Sequence, residues 1–213
     1  MADKAQSVIF NPASRPFALY LHWPFCRAKC PYCDFNSHVS NDVDTQIFGD
    51  ALCTEMTHMA SLMPSHPPVS SLFFGGGTPS LMPPILVERL IRHAEDLFGF
   101  TNDIEITAEA NPTSVEAEAM LGFRKAGVNR VSMGVQSLDD AGLKFLGREH
   151  SAIDALKALD KVSKAFDRVS IDLIYALPDQ SPKAWQAMLG QALSLGLGHL
   201  SLYQLTIATG TVF

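Results

Sequence analysis

Six short strand-like runs, the first five each followed by a stretch with helical signals, restrict this chain more than any other feature. They fall at 18–23, 71–74, 104–109, 128–136, 169–175 and 199–205. The first helix is expected from an N-cap at Asn41 or Asp42 to Met63, where Pro64 stops it, with Phe48, Leu52, Met56, Met59 and Met63 on one face. Cys53, on the flank of that stripe, reads as a small core residue, because nothing near it in sequence would activate a thiolate. The next helix spans 84–98, with Leu86, Leu90, Ala94 and Leu97 buried and Gly99 closing it. A third opens with the capping box Thr113-x-x-Glu116 and ends at Gly127, a fourth covers 151–166, and a fifth starts at Ser181-Pro182. Such alternation implies parallel strands joined by right-handed crossovers.

Two architectures satisfy that rhythm, a flat doubly wound sheet and a curled, partial (βα)6 barrel. A flat parallel sheet is covered on both faces, so its strands read almost continuously apolar. Here one face of each middle strand is polar: Glu105, Thr107 and Glu109; Arg130, Ser132 and Gln136; Ser170 and Asp172. The opposite faces carry Ile104, Ile106 and Ala108; Val131, Met133 and Val135; Val169, Ile171 and Leu173. Ionisable groups on an inner face are costly unless paired or bound to something. The pattern therefore predicts an α/β barrel with a polar, ligand-holding lumen and its working loops at the C-terminal ends of the strands.

Residues 1–17 are expected to form a poorly ordered lead-in, and 18–213 a single core domain. A chain of 213 residues that is 47% hydrophobic, with mean hydropathy +0.11, can bury such a core. Its net charge of −6 and lack of a basic stripe argue against nucleic-acid binding. No signal core, transit pattern or membrane-spanning apolar run is visible, which places the chain in the cytosol, where thiols stay reduced.

Cys26-Arg-Ala-Lys-Cys30-Pro-Tyr-Cys33 directly follows the first strand and holds three of the four cysteines. Its C-x3-C-x2-C spacing lets three thiolates face one point, and three sulfurs can hold a cubane cluster by three of its four irons. One iron is then free for another ligand. A zinc site completed by His22 or His38, a redox role and chance spacing stay open as alternatives, although no second C-x2-C knuckle exists. After the second strand comes Gly75-Gly-Gly-Thr-Pro79. Consecutive glycines allow close backbone approach to a small ligand, and equally form a plain strand-to-helix turn.

The cysteine spacing, with Tyr32 before the last cysteine, resembles the signature of radical S-adenosylmethionine (SAM) enzymes. In that family the open iron of a 4Fe-4S cluster chelates SAM, and an electron from the cluster cleaves it to a 5'-deoxyadenosyl radical. Further motifs resemble, in order, the anaerobic coproporphyrinogen III oxidase group and the related HemW haem chaperones. They are Tyr20-x-His22-x-Pro24-x-Cys26, Gly75-Gly-Gly-Thr-Pro79, Glu109-x-Asn-Pro112, Arg130-Val-Ser-Met-Gly-Val-Gln136, Arg148-Glu149 and Ile171-Asp-Leu-Ile-Tyr-x-Leu-Pro178. The resemblance makes Cys26, Cys30 and Cys33 the cluster ligands. It sets Tyr20 and Tyr32 beside cluster and adenosine, Gly76, Gly77 and Thr78 at the methionyl end of SAM, and Glu109, Gln136, Arg148 and Asp172 on its polar groups. SAM offers an ammonium and a sulfonium that suit carboxylates, and a carboxylate that suits a guanidinium.

Within the group, the oxidases resemble C-x3-C-x2-C-x-C, whereas this chain has Cys33-Asp34-Phe35. The runs Cys33-Asp-Phe-Asn-Ser-His38 and Leu202-Tyr-Gln-Leu-Thr-Ile207 are similar to HemW. That likeness implies haem or porphyrin as cargo, haem-accepting apoproteins and an electron donor as partners. The competing expectation is an oxygen-independent oxidase that decarboxylates two propionates of coproporphyrinogen III to vinyls, and a third is a radical-SAM enzyme with another substrate. Relatives continue past the sixth strand into a C-terminal domain missing here, so an exposed apolar barrel edge is expected.

Overall fold

A computed structural model describes residues 16–63 and 65–213. Most of the expected lead-in at 1–17 lies outside the described residues. In chain order the elements are β1 (Phe17–Trp23), β2 (Phe25–Cys26), β3 (His38–Val39), α1 (Thr45–Leu62), β4 (Val69–Gly76), α2 (Pro84–Phe98), β5 (Phe100–Ala110), α3 (Ser114–Ala126), β6 (Arg130–Gln136), α4 (Asp140–Phe145), α5 (Ala152–Ser163), β7 (Arg168–Tyr175), α6 (Pro182–Ser194) and β8 (His199–Gln204).

The main sheet has six parallel strands in the order β1-β4-β5-β6-β7-β8. The spatial order follows chain order and never reverses. Right-handed crossovers then put the connecting helices on one face, so the sheet curls toward the other. A doubly wound sheet needs a reversal of order, and this one has none. The apolar strand faces pack against the helices: Leu72, Phe74, Leu90, Met120, Phe123, Met133, Ile171 and Leu173 are wholly buried in one cluster. Each such side chain contributes about 1.5–3 kcal/mol of burial. Cys53 is half-buried and packs on the edge of the cluster beside Phe48 and Leu52.

Helix ends depart from expectation where side chains had a choice of partner. The cap of α1 is Asp44, whose carboxylate accepts from the Gln46 and Ile47 amides at 3.0 and 2.9 Å, so neither Asn41 nor Asp42 starts the helix. At α3 only half of the expected capping box forms. Thr113 Oγ1 accepts from the Glu116 amide at 3.2 Å, but the Glu116 carboxylate turns to Asn111 and Ser80 instead of the cap amide. Ser151 with Asp154 makes a full box at α5, and Ser181 caps α6 with Pro182 in its first turn.

Two features were not foreseen. The six-residue helix α4, capped by Asp139 onto the Gly142 amide at 2.8 Å, is too short for a periodic pattern to show. The ladder β2–β3 closes the base of the cysteine loop, with the His38 amide on Pro24 O at 2.7 Å and the Ser40 amide on Cys26 O at 3.1 Å. At the far edge of the sheet, β8 leaves Leu202 43% and Tyr203 54% exposed.

Candidate functional site

A cavity of about 370 Å³ opens at the C-terminal ends of the strands. It is lined by Cys26, Cys30, Tyr32 and Cys33 from the cysteine loop, Gly76, Gly77 and Thr78 from the glycine loop, Glu109 from β5, Gln136 from β6, Arg148 after α4 and Asp172 from β7. Eleven of the twelve expected site residues thus meet in one place. Tyr20 is the exception. Its side chain is 57% exposed, stacks on Phe73 with ring centroids 6.0 Å apart, and sets its hydroxyl 3.4 Å from His22 Nδ1.

The cysteine loop is shaped by its own backbone. The Cys33 amide donates to Cys30 O at 3.1 Å, and Lys29 Nζ donates to the carbonyls of Phe35 and Ser37, each at 3.4 Å. All three thiols are free, with Cys26 buried and Cys30 and Cys33 half-buried. Among the described residues no three His, Cys, Asp or Glu side chains are gathered closely enough to hold a single metal ion. The three thiols share one cavity without closing into a single-ion site. That arrangement fits a cubane, which presents its irons at separate corners, better than a mononuclear zinc. Neither His22, whose Nε2 lies 2.9 Å from Asn36 O, nor exposed His38 lines the cavity.

The glycine loop lies flush against the start of the cysteine loop. The Gly77 amide donates to Trp23 O at 2.7 Å and the Thr78 amide to Phe25 O at 2.9 Å. A Cβ on Gly77 would come within 2.6 Å of Phe25 O, and one on Gly76, whose φ is +116°, within 2.7 Å of the His22 ring. Only glycine permits both the torsion and the approach. On the opposite wall Gln136 holds φ +67°, a left-handed conformation that costs on the order of 1–3 kcal/mol, at the point where the β6–β7 register shifts. Gly134 makes room for it, since a Cβ there would lie 2.7 Å from Gln136 Nε2.

Charge in the mouth is under-compensated. Burial, reinforced by the nearby Asp172 charge, pushes the Glu109 carboxyl up to about 7, against one hydrogen bond from the Gly76 amide at 3.3 Å. Burial also raises Asp172, opposed by hydrogen bonds from Ser201 and from Ser132 at 3.2 Å. Two desolvated carboxylates beside each other suit a cationic ligand. Arg148 is half-buried opposite them, donating from Nη1 to Cys30 Sγ at 3.2 Å and from Nη2 to Asn111 Oδ1 at 2.5 Å and Gly134 O at 3.1 Å. Its Nε has no partner among the described residues, a buried donor left over for a ligand acceptor. Burial raises the Tyr32 hydroxyl and, with the Arg148 charge, pushes His150 down to about 4.

The donor set therefore fits a small zwitterion that also carries a second cation. Carboxylates stand on one wall, a guanidinium on another, and bare backbone lies between. Sequence reasoning missed Asn111, Ile174 and Tyr203 as lining residues. Tyr203 pairs with Ile174 two positions beyond the Ser201–Asp172 pair, so the period-2 alternation already used for β7 would have found both.

The family model described as "Radical SAM superfamily" matches residues 20–192. Radical S-adenosyl methionine domain-containing protein 1, mitochondrial, of Mus musculus is 44% identical over 200 residues, which are 93% of this chain and 45% of that protein. Heme chaperone HemW of Escherichia coli is 40% identical over 93% of this chain and 53% of its own length. The solved structure of E. coli coproporphyrinogen III oxidase (HemN), described as a radical SAM enzyme, superposes with a TM-score of 0.79 at 32% identity, covering 92% of this chain and 45% of that one. The chain spans about half the length of the curated relatives it matches. Among the described residues no helix is long and apolar enough to cross a membrane. With a parallel six-stranded sheet, three cysteines and a glycine loop at its mouth, and a family match over most of its length, this chain belongs to the radical SAM superfamily, whose cofactors are SAM and a 4Fe-4S cluster.

Proposed function

We propose that residues 18–213 form the cofactor-binding core of a haem chaperone of the HemW kind. The observation that carries this reading is Phe35. It occupies the place where the oxidases resemble a fourth cysteine, and it lines the mouth with 58% of its surface exposed. The curated chaperones that align with nearly the whole chain support it. An oxygen-independent coproporphyrinogen III oxidase is the second reading, favoured by the likeness to the solved oxidase structure.

Cys26, Cys30 and Cys33 are the residues that would hold the cluster, and the Arg148 guanidinium against Cys30 would offset the negative charge of a thiolate there. Gly76, Gly77 and Thr78 would offer backbone groups to the methionyl end of SAM, and Glu109 and Asp172 its cationic groups their carboxylates. Arg148 Nε would take an acceptor, and Gln136 and Tyr32 the polar and aromatic faces of the nucleoside. When bound, cluster and SAM together supply one-electron cleavage chemistry. The polypeptide binds and orients them and keeps water from the buried wall. Tyr203, Ile174 and Phe35 give the outer mouth an apolar rim suited to a flat tetrapyrrole. The compartment proposed is a reducing one, the cytosol or, as the names of several relatives suggest, the mitochondrial interior.

Anaerobic assay of the full-length protein, with reconstituted cluster, SAM and a reductant, tests the reading. Bound haem is expected to pass to an apoprotein without formation of protoporphyrinogen. Protoporphyrinogen formation over many turnovers would overturn the chaperone in favour of the oxidase, and neither outcome would leave another substrate class.

A further inference from the structure

The Glu116 carboxylate, 7% exposed at the first turn of α3, pairs with no Lys or Arg among the described residues. Three donors surround it: the Ser80 hydroxyl, the Asn111 amide at 2.6 Å on Oε2, and Asn111 Nδ2 at 3.2 Å on Oε1. Ser80 lies in the turn that leaves the glycine loop, and Asn111 directly follows β5 at the cavity wall. The same Asn111 side chain gives its other end, Oδ1, to Arg148 Nη2 at 2.5 Å, and Arg148 reaches Cys30 Sγ.

A carboxylate only accepts hydrogen bonds, whereas an asparagine amide has a donating and an accepting end. Because Glu116 accepts, Asn111 must turn its NH2 toward Glu116, and its oxygen is then left for the guanidinium, which only donates. We propose that Glu116 is a positioning residue for the cofactor mouth: by fixing the direction of the Asn111 amide, it supplies the acceptor that holds Arg148 over Cys30 and couples the glycine loop to the cysteine loop. The half-formed capping box at α3 is the other side of this role. The carboxylate that would have returned to the Thr113 amide is committed to the relay.

The test reverses the donors. In Glu116→Gln, the new amide keeps its oxygen on Ser80 and the Asn111 backbone N–H, and its NH2 faces Asn111. The Asn111 side chain then flips and presents its own NH2 to Arg148, a donor against a donor. Adding Asn111→Asp restores the direction, because the new carboxylate accepts from both sides. Two measurements follow the relay. One is the Arg148 side-chain N–H resonance in the cluster-free protein, which needs no cofactor. The other is SAM affinity of the cluster-loaded full chain, which rests on the function proposed above.

Glu116→Gln is expected to shift the Arg148 resonance and to weaken SAM binding about tenfold or more, the scale of one lost charge-assisted hydrogen bond. The double variant is expected to return both to the parent values. An unchanged resonance and affinity in the single variant, or no recovery in the double, would overturn the relay. A role confined to the stability of α3 would lower the melting temperature and leave the resonance in place. If the parent binds no SAM, the functional reading fails while the resonance still decides the relay. Should the single variant not fold, recovery of the parent resonance by the double variant decides alone.

Discussion

The base and the mouth of the lumen are built from the same strands and the same polar alternation, yet their chemistry differs. At the base Arg130, Arg168 and Glu105 pair with one another. Arg130 lies 3.5 Å from Glu105 and donates to Thr107 and Ser170 at 3.3 and 3.1 Å, while Arg168 reaches Glu105 at 3.4 Å and Ser132 meets Ser170 at 3.0 Å. At the mouth, among the described residues, Glu109 has a single long hydrogen bond, Arg148 Nε has none, and Gln136 holds a strained backbone. Polar groups that satisfy each other form a plug, and polar groups that do not are the ones left to satisfy a ligand. The ligand-holding lumen expected from sequence is therefore only its upper half.

Substitution of any one of Cys26, Cys30 or Cys33 by Ser should have the largest effect and separate the two regions most sharply. Iron and sulfide content after anaerobic reconstitution should fall from about four of each per chain to near background. The cluster-free fold should melt as the parent does, because the base and the helix-facing core are untouched. A cysteine variant that kept its iron would remove that residue from the ligand set.

Glu109→Gln should come next. With its carboxyl at about 7 instead of the ordinary 4.5, the folded chain binds more protons than the unfolded chain between those values. Stability of the cluster-free protein therefore falls as pH rises from about 4.5 to 7, and stays low above that. The amide carries no such penalty, so the variant should gain on the parent by roughly 2–3 kcal/mol between pH 4.5 and 8 while binding SAM more weakly. Thermal melts of both proteins at the two pH values measure the difference. An equal pH dependence would mean that the Glu109 carboxylate is already satisfied, and the contrast between base and mouth would fail there.

The barrel and the location of its mouth were legible because both rest on strong periodic signals. Alternation of period 2 on the strands and Pro, Gly and Ser at helix ends survive into the structure within a few residues, as β7 and α6 show. The cysteine triplet and glycine loop were legible because short loops between known strands cannot be far apart. What sequence could not resolve was which polar residues would pair. Glu105, Thr107 and Glu109 look equivalent along β5, and only the lateral register against Arg130 and Arg168 divides them. Glu116 was read as a capping residue for the same reason. Local spacing licensed the box, and a partner 36 positions away, Ser80, competed for the carboxylate. Tyr20 lies in a matching motif on β1, the first strand of the described sheet, where it stacks on Phe73 and feels the Glu109 charge without lining the cavity.

At the base, Arg130→Met should cost about 1–3 kcal/mol, since the Thr107 and Ser170 hydroxyls, both buried, lose their donor and Glu105 loses its better-shielded partner. SAM affinity should stay at the parent value. A change in affinity larger than the change in stability would show that base and mouth are one coupled unit.

Arg168→Ala should have the smallest effect and sharpen the comparison within the base itself. Both arginines contact Glu105 at nearly the same distance, but the Arg168 side chain is 54% exposed and that of Arg130 only 15%. An ion pair that open to water contributes between nothing and about 1 kcal/mol, and salt screens what there is. Urea titrations at low and high salt should therefore show a loss of that size for Arg168→Ala that shrinks as salt is added, against a salt-insensitive loss for Arg130→Met. Equal, salt-dependent losses would mean that the plug is held by surface charge. Unequal ones would place its strength in the buried hydrogen bonds that Arg130 donates across three strands.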